Sequence, residues 1–246
     1  MTSSDPLDDI LKDGRKWFWR RTSSHRLALV RQAYTAGVPA LLMKSSTDRL
    51  GAAAGYAFHL GTPDDVLRRI ASWLLTEAGR TGGSGLWRLH DLLWARHGRE
   101  DVALAALLLT NISIEDEERW RRLAAVVLRR ERAAGVVAAE ALLLSIEELR
   151  RAGRAAPDRV VLESWFDAGG VLSHLALLAA YTGLIFGDRG RESLDVGDGT
   201  VDNEGLENIA DDWLRERAAA ALLPDGDSLL GRIRDSLSSG LSSGED

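Results

Sequence analysis

Apolar positions recur along the chain at a spacing near 3.6, broken by glycine, proline and short polar clusters, and they do not alternate as in a strand. The clearest helix start is Thr62-Pro63-Asp64-Asp65. Thr62 suits the N-cap, Pro63 the first helical position, and the two aspartates the positive helix end. Val66, Leu67, Ile70, Trp73 and Leu74 then share one face, and Gly79 closes the helix. Residues 86–97 predict the next helix, broken at Gly98. Residues 101–109 are so apolar that burial on most sides is expected. Residues 113–134 make the strongest amphipathic pattern. Ser113 caps it, Trp120, Leu123, Ala124, Val127 and Leu128 form its core stripe, and Arg119, Arg122 and Arg129 fall on a different face. After Gly135, residues 136–152, 158–167 and 171–186 read as helices, the last two parted by Gly169-Gly170.

The ends follow the same pattern. Residues 6–21 predict a helix with Trp17, Phe18 and Trp19 near its end, and residues 25–36 and 38–44 a pair split at Gly37, with a further helix from Ser46. Residues 187–205 form an acidic, glycine-rich loop. Residues 206–223, with Trp213, and 228–237 are helical, and 239–246 are expected to be disordered. The fold expected is all-α, a HEAT-like helical-repeat solenoid in one domain over residues 1–238. A compact multi-helix bundle is the competing architecture.

Composition narrows the class. Of 246 residues, 45% are hydrophobic and 28% charged, so most of the chain should fold. The absence of cysteine excludes disulfides and thiolate metal sites and fits a reducing cytoplasm. No apolar run reaches the length of about 18 residues that a membrane span needs, and the polar, acidic N-terminus does not read as a signal peptide. A net charge of −6 weighs against a general nucleic-acid binder without excluding one, because a basic stripe can sit on an acidic protein. Lysine occurs only at positions 12, 16 and 44. Two readings of the arginine excess stay open: genomic composition, or a need for bidentate phosphate and carboxylate forks.

Candidate chemistry is sparse. Trp17, Phe18 and Trp19 lie among Arg15, Lys16, Arg20 and Arg21, a pattern that serves either nucleic acid or the cap of a helical core. His90 and His97 flank Asp91, but two turns of helix set the histidines about 10 Å apart, too far for one ion. His174 stands alone on an apolar helix. Asp195, Asp198, Asp202 and Glu204 do not make a calcium loop, since Gly197 and Gly199 take the third and fifth places. No Walker loop, nucleophile elbow, metalloprotease helix or dinucleotide fingerprint is present, and neither metal nor cofactor is expected. The remaining cluster is Trp165-Phe166-Asp167. Aromatic faces beside a carboxylate can hold a cationic group, or the two rings can simply pack in a helix interface.

Four segments, taken in order, resemble the HEAT-like repeat glycosylases of the DNA-alkylation-repair family: AFHLGTPDDVLRRIASWLL (57–75), LLWARHGREDVALAALLL (92–109), ESWFD (163–167) and DDWLRERAAAALL (211–223). The third is similar to the family's Ser-Trp-Trp-Asp element. The resemblance implies a solenoid that cradles alkylated duplex DNA and releases cationic alkylpurines by hydrolysis of the N-glycosidic bond. Trp165 and Phe166 would line the lesion cleft, and Arg217 would contact DNA. The family's catalytic aspartate lies three residues past this element, where the chain has Gly170, so Asp167 is the acid the resemblance leaves. Arg119, Arg122 and Arg129 join Arg217 as expected phosphate contacts. The alternative class is a non-catalytic scaffold that binds a protein partner on its concave face. Neither class involves a membrane.

Overall fold

A computed structural model describes residues 5–36, 38, 55–79, 84–135 and 137–185. Arg217, the acidic loop at 187–205, Trp213 and the C-terminal tail lie outside the described residues. Among the described residues the chain is all-α, with no strand. The helices are α1 (Pro6–Gly14), α2 (Ser23–Thr35), α3 (Asp64–Gly79), α4 (Ser84–Arg96), α5 (Arg99–Asn111), α6 (Asp116–Ala134), α7 (Ala139–Arg151), α8 (Arg159–Ala168) and α9 (Gly170–Ile185), with one 3-10 turn at Phe18–Arg20. No helix among the described residues is long and apolar enough to cross a membrane. The chain divides into two compact units, Met1–Ala152 and Gly153–Asp246.

The first unit is built on α5. Val102 and Leu104 to Thr110 are buried around nearly its whole circumference, as its composition predicts. It packs against α3, α4 and α7, while α4 also packs against α6, and α2 against α1, α3 and α4. Trp94 and Trp120 are both 1% exposed and anchor the core, whereas Trp73 is half-buried and meets the edge of Phe18 at 5.2 Å.

Several boundaries differ from the sequence reading, each for a local reason. The helix expected over 6–21 stops at Gly14, and the aromatic patch turns inward. Phe18 is buried, Trp19 stands edge-on to it at 4.9 Å, and Arg26 donates to the carbonyls of Phe18 and Trp19. Phe18 is core, while Trp17 and Trp19 are half-buried and Arg26 lies over the Trp19 ring. The Thr62 hydroxyl donates to the Tyr34 carbonyl at 3.1 Å instead of capping, and α3 begins at Asp64. Ser113 lies outside α6, whose N-cap is Glu115.

The break after α4 is also not where glycine suggests. The residue in left-handed conformation is His97, with φ 56°. Gly98 is required by contact, because a Cβ there would sit 2.1 Å from the Phe58 ring. Segment 55–62 lies along this turn: Ala57 N–H donates to His97 O and Arg99 N–H to Phe58 O, both at 2.9 Å. In the second unit, α8 and α9 pack together and are parted by Gly169, which has positive φ, as has Gly170 at the start of α9.

Candidate functional site

Two polar assemblies stand out in the first unit, one closed and one open. The closed one lies under the α4–α5 turn. Arg96 grips Asp101 with two hydrogen bonds, from Nε at 2.6 Å and Nη2 at 2.5 Å, and Tyr34 donates to the same carboxylate at 3.0 Å. Burial raises the Asp101 carboxyl above its ordinary pKa despite these donors. Glu100 accepts from the backbone N–H groups of Leu60 and Gly61 at 2.8 and 2.9 Å, and Arg99 forks onto Glu140. Tyr56, raised by burial and by the Glu140 charge, completes the group. These side chains fasten segment 55–62, α2 and α7 to the start of α5. A buried, cross-linked network of this kind specifies one arrangement of the elements it joins.

The open assembly is a cavity of about 340 Å³ between α4 and α6. Leu92, Trp94, Ala95, Val126 and Ala133 give it an apolar lining, and Arg88, Arg129 and Arg130 stand with Asp91 around it. Arg129 pairs with Asp91 at 3.0 Å, a contact in which both side chains are well exposed. Such pairs are worth about 0–1 kcal/mol and exchange readily for another anion. Arg130 donates to the Ala95 carbonyl at 3.4 Å. Beside the cavity, Arg122 lies over the Trp87 ring at 4.1 Å from its centre and is ion-paired with Glu118 at 2.9 Å.

Behind the rim, His90 is fully buried and bonds Asp91 through Nδ1 at 3.2 Å. Burial lowers its pKa, against the pull of Asp91. Burial raises the Asp91 carboxyl, but the His90 hydrogen bond and the Arg129 charge outweigh it and hold it below the ordinary value. Arg88 adds to the field: after burial, its charge is the next cause lowering the pKa of Arg26. An array of arginines with one carboxylate among them, over an apolar lining, is suited to an anion that also carries an apolar part.

The residues singled out in the sequence fare differently. Arg122 and Arg129 both lie at this groove. Arg119 does not: it is 1% exposed, and its guanidinium donates to the carbonyls of Leu109 and Ile114 and to Asp116. It caps the Leu109 carbonyl in the last turn of α5 and has no surface to offer a phosphate. Its position was a signal, since Arg119 lies four residues before Leu123 and seven before Val126, on the apolar arc of α6. Arg88 and Arg130 were missed. In the second unit, Trp165 is half-buried and Asp167 is exposed in the last turn of α8. Two residues apart, they project from different sides of the helix. His90 and His97 are both fully buried, His97 accepting the Ala138 N–H at Nε2, and among the described residues no group of three potential ligands is placed to hold a metal ion.

No protein-family model, no curated protein and no solved structure matches the chain.

Proposed function

We propose that the first unit is a HEAT-like array of helix pairs that binds DNA through the groove between α4 and α6. Two rows of helices support the array reading: α2, α4 and α6 pack in succession, as do α3, α5 and α7, with cross-contacts between the rows. The observation that carries the binding reading is the convergence of Arg88, Arg129 and Arg130 on one cavity, with Arg122 beside it. Phosphates replace the weak internal counter-ions Asp91 and Glu118.

The strong form of this reading adds excision of cationic alkylpurines, with Asp167 as the acid and Trp165 and Phe166 as the aromatic wall. It rests on the order of the four resembling segments. The test is release of free base from methylated duplex DNA by the full chain and by Asp167→Asn. Release above the spontaneous rate, lost in the variant, supports excision. Salt-sensitive binding without release leaves a DNA-binding protein without glycosylase chemistry. Absence of both returns the groove to a protein scaffold, for which the net charge of −6 is the argument.

A further inference from the structure

We infer that the α4–α6 cavity takes one unstacked base of a single-stranded segment whose phosphates lie along the arginine rim. This rests on the phosphate reading of the groove and narrows it from DNA in general to an opened strand. Its first support is the mismatch between rim and lining. Arginines alone would suit a bare phosphate, yet the cavity behind them is walled by Leu92, Ala95 and Val126. A phosphate driven into such a wall loses its hydration for nothing, so the charged group belongs at the rim and something apolar belongs inside.

The second support is size. At about 340 Å³ the cavity sits near the lower end of the range for small-ligand sites, roughly 300–1,000 Å³, and so suits one ring system rather than a length of chain. The third is a pair of unused donors. The indole N–H of Trp94, a residue 1% exposed, has no hydrogen-bond partner among the described residues, and neither does Nε of Arg130. Both residues line the cavity. A nucleobase brings a flat apolar face for the lining, ring and carbonyl acceptors for such donors, and a phosphate on each side for Arg88 and Arg129. Arg122, already stacked on Trp87, shows the guanidinium–ring geometry that an adjacent base would extend. A paired duplex offers the rim its phosphates but keeps every base out of the cavity.

The test is fluorescence anisotropy with the full chain and four probes: a short thymidine oligonucleotide, the same strand with all bases removed, a duplex of equal length, and polyglutamate as competitor. The thymidine strand is expected to bind about tenfold or more tighter than the abasic strand of identical charge, in line with base stacking energies. Ala95→Phe and Ala133→Phe start from exposed positions and fill the cavity without altering charge. Each should bring the thymidine strand down to the abasic level and leave abasic binding unchanged. Equal, salt-sensitive binding of both strands would overturn the base pocket while the phosphate reading stood. Tighter binding of the duplex would overturn it in the same way. No binding of any nucleic acid would remove both readings. Displacement of the thymidine strand by polyglutamate at matched charge would assign the groove to an acidic peptide instead.

Discussion

His97 shows how much one residue can carry. It ends α4 in a left-handed conformation, accepts the Ala138 N–H at Nε2, and is wholly buried. Burial, helped by the Arg130 charge, lowers its pKa to about 4. An unfolded histidine titrates near about 6.5. Between those values the unfolded chain binds a proton that the folded chain does not, so folding stability is full above about pH 6.5 and falls as the pH drops toward 4. The loss should be on the order of 2–3 kcal/mol. Urea unfolding at pH 7 and 4.5 measures it. His97→Asn, which tolerates the same backbone conformation, should remove the His97 share of that pH dependence; a variant that keeps all of it would assign the effect to His59 or His90, which burial also lowers. The next residue acts by contact. Gly98→Ala should cost about 1–3 kcal/mol by displacing the Phe58 ring. A cost within a few tenths, measured by the same unfolding, would mean that the ring yields freely.

At the scale of elements, α5 organises the first unit. Trp120 on α6 is 1% exposed, and Trp120→Ala should cost about 3–5 kcal/mol in a denaturation experiment. A loss below about 1 kcal/mol would show that α6 is not held by this side chain. Glu100 ties α5 to segment 55–62 by accepting two backbone N–H groups, so Glu100→Gln should speed hydrogen exchange at Leu60 and Gly61 before the unit unfolds. Unchanged exchange at both amides would mean that the carboxylate does not secure the segment. The elements themselves were largely legible. The apolar run at 101–109 predicted a helix buried on most sides, and Gly135 and Gly79 marked helix ends. What was not legible were bonds between elements far apart in sequence. Tyr34 bonds Asp101, and the Thr62 hydroxyl bonds the Tyr34 carbonyl in place of its own helix. Helical spacing reports which face is apolar, not which polar group a buried neighbour will claim.

Within the first unit, Arg88, Arg129 and Arg130 stand around one cavity, with Arg122 beside it. The sequence pointed to Arg122 and Arg129 but missed Arg88 and Arg130, because α4 and α6 meet only after α5 has been laid between them in sequence. It also placed Arg119 in that set, when the residue is buried and bonds the Leu109 carbonyl in the last turn of α5. The most direct measurement is DNA binding across salt concentrations by the full chain and by an Arg88→Gln, Arg129→Gln, Arg130→Gln variant. Each phosphate contact on a single strand contributes about −0.7 to the slope of log K against log salt. The account predicts a wild-type slope of roughly −2 or steeper, with most of it lost in the variant while the fold, monitored by circular dichroism, is kept. Binding of equal strength and equal salt dependence in both proteins would contradict it.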